Sequence, residues 1–153
     1  MIMLTESLRH HHKYCDDLFV DAEAAAAEGN WPQCQVLLSR LGDAIEDHFR
    51  TEESLLFPAF EAATGMAGGP TQMMRIEHAR MRELIGQMRS AQTAQSGDAF
   101  AGAAETLLVF MQQHNLKEEN ILYPMCDSSL AAQADGLAAQ LHDSLEPGCP
   151  TKN

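Results

Sequence analysis

The chain has 153 residues, 45% of them apolar, enough to fold as one domain around a real core. Its net charge of −12 sets it against nucleic-acid phosphates and acidic lipid surfaces, and it holds no run of about 18 apolar residues that could span a membrane. The opening stretch MIMLTESLRHHHK lacks a basic segment followed by a long apolar one, so no signal peptide is expected and the cytoplasm is the expected compartment.

The composition is rich in Ala, Leu, Met, Glu and Gln, which favour helix. A first helix is expected over about 4–28. The EGNWP turn then offers a glycine stop, Asn30 as an N-cap and Pro32 in the first turn of a second helix over about 32–63. Pro58 is expected to kink or end that helix. A glycine-rich loop leads to Pro70 and a third helix over about 70–95, with Met74, Met81, Leu84, Ile85 and Met88 on one stripe. Gly97 as a stop and Asp98 as an N-cap introduce a fourth helix over about 98–124, where Leu107, Leu108, Met111 and Leu122 recur at helical spacing. Ser128 then offers a cap for a short fifth helix over about 129–145. No stretch alternates with period two, so no sheet is expected. The reading is all-α: an up-down-up-down four-helix bundle with an additional short C-terminal helix. It forms a single domain over 1–146, with the bundle core over about 4–126 and a flexible tail over 147–153. Cys15, Cys34 and Cys126 form no C-x-x-C pair and read as small buried apolar residues, while Cys149 falls in the tail.

A repeat overlies this pattern. HFRTEESLLFP at 48–58 returns as HNLKEENILYP at 114–124. His12 and His78, His48 and His114, and Glu52 and Glu118 are each 66 positions apart. Leu8/Met74, Cys15/Met81, Leu18/Leu84, Phe19/Ile85, Leu55/Ile121 and Phe57/Tyr123 keep the same offset and match in kind. His12 and His48 lie symmetrically about the turn at residue 30, and His78 and His114 about the turn at residue 96. Each arm covers about 24 Å at 1.5 Å per residue, so all four histidines fall in one layer of the bundle. His48 and Glu52 are spaced i, i+4 and share a helix face, as do His114 and Glu118. Four imidazoles and two carboxylates thus converge on the bundle axis. One H-x-x-x-E is usually a solvated pair, but two copies, each 36 residues after another histidine, point to metal. Six ligands suggest two ions with positions left open for water or a small molecule. Imidazole and carboxylate suit iron, zinc or manganese.

Neighbouring residues leave choices open. His12 is favoured by the repeat, and His11 by the local stripe of Leu4, Leu8, Cys15 and Leu18. His10 and His142 read as solvated. Glu53 and Glu119 lie about 100° around the helix from the ligand face. They are either hydrogen-bond acceptors behind the histidines or members of salt bridges, and Glu77, next to His78, carries the same ambiguity.

The set His12, His48-x-x-x-Glu52, His78 and His114-x-x-x-Glu118, with its E-E-x-x-L-[FY]-P endings, resembles the hemerythrin-like (HHE cation-binding) family over about residues 4–126. The resemblance implies two non-haem iron ions in a four-helix bundle, bridged by an oxo or hydroxo group and two carboxylates. Glu52 and Glu118 would then bridge, and the four histidines would be terminal ligands. Oxygen-carrying members have a fifth histidine where this chain has Arg82. They also carry an Asp five residues after the last histidine, whereas here Glu118 lies four after. The chain is closer to the symmetric His4Glu2 branch. The function that branch implies is binding or sensing of O2, NO or peroxide. The alternative is an enzyme or iron-delivery role in NO or peroxide reduction or in repair of damaged iron centres, with reductant drawn from a redox partner. Zinc or manganese could stand in for iron.

Overall fold

Residues 3–145 are described by the computed structural model. Helix α1 spans Glu6–Ala27, and Gly29 turns the chain with φ of 73°. Asn30 accepts a hydrogen bond from the Gln33 N–H at 3.3 Å and so caps α2 (Trp31–Thr51), with Pro32 in the first turn as expected. Gly65, left-handed at φ 74°, closes α3 (Phe57–Thr64). Helix α4 covers Pro70–Thr93 and α5 covers Gly97–Lys117. Helix α6 (Tyr123–Ser129) and a short 3₁₀ turn (Ala131–Gln133) lead to α7 (Ala134–Leu145). No strand occurs among the described residues, and no helix among them is long and apolar enough to cross a membrane.

The punctuation differs from expectation at three places. Ser96, not Asp98, caps α5: its backbone is extended (φ −96°, ψ 102°) and its hydroxyl accepts from the Ala99 N–H at 3.2 Å. Gly97 is already helical, and the left-handed turn before it is made by Gln95 at φ 55°. Ser128 caps nothing, because it lies inside α6, and the last helix starts only at Ala134. Most consequential is how the chain takes Pro58, expected to kink or end its helix, and Pro124. Each follows a single widened π-turn, over Glu52–Leu56 and Glu118–Leu122. In these turns Phe57 N–H bonds to Glu52 O and Tyr123 N–H to Glu118 O, five residues back instead of four. A proline in a regular helix clashes with the carbonyl four residues before it and lacks a donor. The wide turn makes room for the ring, and the helix restarts with the proline in its first turn. Widened turns of this kind often mark functional sites.

Helix α1 packs on α2 and α5, and α4 packs on α5 and α2, the neighbour relations of an up-down-up-down bundle. Met74, Met81, Leu84, Ile85 and Met88 are all buried, as are Leu107, Met111 and Leu122, while Leu108 is half-buried. Cys15, Cys34 and Cys126 are buried as expected, and Cys149 lies outside the described residues, as does the tail over 147–153. The apolar core falls into two parts. One gathers Cys15, Leu18, Phe19, Leu41, Met81, Leu84, Leu107 and Met111. The other gathers Leu4, Leu8, Phe57, Phe60, Met74 and Leu122, and is closed by Leu137, Leu141 and Leu145 of α7. Thr51 and Ser144 share a hydroxyl hydrogen bond of 2.5 Å that fastens α7 to α2. Thr5 ties the start of α1 to α6, its N–H donating to Asp127 Oδ1 at 3.0 Å. On α1, α4 and α5 a histidine separates the two core parts, and on α2 His48 stands one residue before Phe49, the last member of the first part on that helix.

Two substitutions test the turns. Asn30→Ala removes a cap and Gly65→Ala places a side chain at a left-handed position. Each should lower stability by about 1 kcal/mol, read as a lower urea midpoint at unchanged slope.

Candidate metal centre

Between the two apolar parts lies a polar layer. His11, His12, His48, Glu52, His78, His114 and Glu118 are all buried, with Glu52, His78 and Glu118 at 0% exposure. The structure brings all six residues singled out in the sequence to one place. His12, His48, Glu52 and Glu118 each offer an atom to a first group, and Glu52, His78, His114 and Glu118 to a second. Within either group the donor atoms lie within 4.8 Å of one another. The two carboxylates divide their oxygens. Glu52 turns Oε2 toward His48 Nε2 (3.4 Å) and Oε1 toward His78 Nε2 (3.0 Å). Glu118 turns Oε1 toward His12 Nε2 (3.0 Å) and Oε2 toward His114 Nε2 (3.4 Å). Each carboxylate therefore faces both groups, the disposition a bridging ligand requires.

Three of the four imidazoles are held from behind by a carboxylate on Nδ1. His12 pairs with Glu119 at 2.6 Å, His78 with Glu53 at 2.7 Å and His114 with Glu77 at 2.7 Å. A carboxylate there keeps the proton on Nδ1 and leaves Nε2 aimed inward, the arrangement typical of histidines that bind metal. Two of these outer carboxylates, Glu53 and Glu77, have a cation in turn, and the third residue is held through its backbone. Arg82 donates to both Glu53 and Glu46, Lys117 pairs with Glu77, and Arg9 donates to the Glu119 carbonyl at 3.1 Å. Glu53 and Glu119 thus serve as acceptors behind the histidines, and Glu53 also takes part in the Arg82 salt bridge. Arg82 lies over the Phe49 ring and braces Glu53 at the position that carries a fifth histidine in oxygen carriers.

His48 is the exception: its Nδ1 lies 2.9 Å from Nδ1 of His11. The 66-residue offset explains the exchange, since His11 occupies the position matching Glu77. Burial, with His48, His12 and His10 nearby, pushes the His11 pKa down to about 2, so it stays neutral. It backs His48 where a carboxylate backs the others. His10 and His142 are exposed, as expected.

Sequence reading missed Tyr123. Its hydroxyl is fully buried and donates to Glu52 Oε2 at 2.5 Å. It also lies 3.0 Å from Glu118 Oε1 and 3.3 Å from Nε2 of both His12 and His48. The π-turn is responsible, because it places the residue five after Glu118 over that glutamate. Phe57, the matching residue in the first half, stacks on His78 instead, with ring centres 5.8 Å apart. The signal was present in the sequence as the change from Phe to Tyr within otherwise matching phrases.

The donor set fits a metal. In the second group Glu52 Oε1, His78 Nε2, His114 Nε2 and Glu118 Oε2 are buried and make no hydrogen bond. Four such orphaned atoms, facing one another at 3.0–3.4 Å in an apolar interior, are costly unless a proton or a metal cation stands between them. Their protonation tells the same story. Burial alone would lower the His48 and His114 pKa values. The Glu52 and Glu118 charges outweigh it, raising His48 to about 10 and His114 to about 9. His78 is raised as well, with Glu52 and Glu53 overcoming burial. Burial would raise the Glu118 pKa, but the His114 charge holds it well below the carboxylate range. Protons on these histidines take the place a metal cation would fill.

An antiparallel helical bundle with paired, buried His/Glu groups able to hold metal defines a class of metal-binding bundle proteins. The hemerythrin HHE cation binding domain matches residues 3–126, and the chain belongs to that family. No curated protein and no solved structure matches it.

The pKa shifts fix a pH dependence for the metal-free protein. Histidines raised to about 9 and 10 contribute stability in full below their unfolded value of about 6.5, and lose it as pH climbs to about 10. His11, depressed to about 2, has the opposite sign: its contribution is present above about 6.5 and declines below it. The urea midpoint of metal-free protein should therefore be highest near neutrality and fall on both sides. Metal competes with the protons on His48, His78 and His114, so metal affinity measured by competition with a chelator should rise from about pH 6 to about pH 9.

Proposed function

We propose that the chain is a non-haem di-iron protein whose centre binds or senses O2, NO or peroxide. The carrying observation is the division of the carboxylate oxygens, with Glu52 and Glu118 each facing both donor groups. On this reading the two glutamates bridge a pair of ions, and His12, His48, His78 and His114 hold the ends. Nitrogen and oxygen donors with no thiolate among them suit iron, and leave zinc and manganese as substitutes. A bound iron pair supplies open coordination positions and a change of oxidation state. The chain's own residues supply the rest. The outer carboxylates fix the imidazole tautomers, and the two apolar core parts keep bulk water out.

The size of the ligand is bounded. A cavity of about 20 Å³ lies beside His12 and His48, walled by Cys15, Ile45, Phe49, Met81 and Met111. That is room for a single water-sized molecule. It favours a small inorganic ligand over an organic substrate.

A second reading uses the same centre for NO or peroxide reduction, or for iron donation to damaged iron centres. The observation favouring it is Arg82, which is engaged by Glu46 and Glu53 and supplies no fifth histidine, so more of the coordination sphere is left to exogenous ligands. Reductant would come from a redox partner.

Iron counting and the visible spectrum of anaerobically Fe(II)-loaded protein, before and after air, separate these readings. Two irons per chain and a charge-transfer band that fades on degassing mean reversible O2 binding. A band that persists until reductant is added favours sensing of NO or peroxide, reduction or repair. Protein that takes up no iron sinks the proposal. His78→Ala and Glu118→Ala should each lose iron while circular dichroism stays helical. Two irons retained in either variant would overturn the ligand assignment.

A further inference from the structure

The two halves of the centre share a plan but not a donor set. Around the His78/His114 half the neighbouring rings are Phe49, stacked on His78 at 3.9 Å, and Phe57. Neither carries a donor atom. Around the His12/His48 half stands Tyr123, whose oxygen is within 3.3 Å of all four inward donor atoms of that group. The orphaned atoms follow the same division. All four inward atoms of the His78/His114 group lack hydrogen bonds, whereas those of the His12/His48 group are gathered on one phenol oxygen.

Metal–ligand bonds to N and O donors are about 2.0–2.2 Å. An ion bonded to His12 Nε2, His48 Nε2, Glu52 Oε2 and Glu118 Oε1 must sit inside the polygon these atoms form. Tyr123 Oη already lies 2.5–3.3 Å from every corner. An ion held among these atoms would have that oxygen as an immediate neighbour. The ring has little room to withdraw, since it is fully buried and is stacked against His12 at 5.7 Å. Without metal the hydroxyl donates its proton to Glu52 Oε2 at 2.5 Å.

We propose that Tyr123 is a fifth protein ligand of the metal held between His12 and His48, so that the two metal positions are chemically unequal. The assignment rests on the di-iron reading above. On binding, the Tyr123 O–H bond breaks, an Oη–metal bond forms, and the proton is released to water as ligand protons are when metals bind. No oxidant or reductant is needed. The His12/His48 position then has two nitrogens and three oxygens from the chain, and the His78/His114 position two of each. The second position is left with one protein ligand fewer.

The test is resonance Raman and visible absorption of the ferric protein, with iron counted, on the parent chain and on Tyr123→Phe. Phenylalanine is what the matching position 57 already carries, so the variant keeps the shape of the core. The parent should show a phenolate-to-iron band with enhanced tyrosine ring modes, and Tyr123→Phe should lose both while retaining two irons. Two irons with no phenolate signature in the parent, or a signature that survives in Tyr123→Phe, overturns the assignment and leaves the di-iron reading standing. Fewer than two irons in the parent overturns that reading and the assignment with it.

Discussion

Six ionisable side chains at the centre of an apolar bundle set the terms for the rest of this structure. An unpaired buried carboxylate or imidazolium costs several kcal/mol, and the layer of His12, His48, Glu52, His78, His114 and Glu118 holds six such groups. Every surrounding feature reduces that cost. The inner carboxylates face the inner imidazoles, the outer carboxylates hold the imidazoles from behind, and Arg82 and Lys117 balance the outer carboxylates. The two apolar parts then seal the layer from above and below. Charge alternates outward from the axis, and the inward-facing atoms of the His78/His114 group are left without a hydrogen bond. That is where a metal would stand.

The two halves of the chain build this layer by the same plan, and departures from the plan are as informative as its repetition. Glu77 behind His114 has its counterpart in His11 behind His48. Phe57 beside His78 has its counterpart in Tyr123 beside His12 and His48. Both exchanges fall on the same half. A neutral imidazole backs His48 where an anion backs the others, and a phenol oxygen is added nearby. The half that loses an outer negative charge gains an inner oxygen donor.

Much of this was legible in the residues. Helix-forming composition, the Asn30 cap and two turns symmetric about the histidines led to the bundle, and the 66-residue offset picked out six residues that the fold places together. It favoured His12 over His11 without deciding between them, since the local apolar stripe pointed the other way. The rest was hidden for physical reasons. A proline late in a helix reads as a stop, and periodicity alone does not reveal that one wide turn can absorb it. Ser96 and Asp98 are both good capping residues, and only the backbone angles choose between them. Tyr123 and Phe57 looked equivalent because both are large and aromatic. The difference between them is one oxygen, which matters only once Glu52 and Glu118 are known to lie beneath it. Glu53, Glu77 and Glu119 could be placed beside the layer but not paired, since each bonds a histidine on a different helix.

The paired π-turns also decide what each half can offer the polar layer. Each begins at the glutamate that faces both donor groups, and the N–H five residues on bonds back to that glutamate's carbonyl. In the first half that residue is Phe57, whose ring stacks on His78; in the second it is Tyr123, whose hydroxyl reaches Glu52 and Glu118. Position five of the wide turn is thus a lever: one oxygen added to its ring alters the polarity of the layer while the carboxylate and the helix stay where they are.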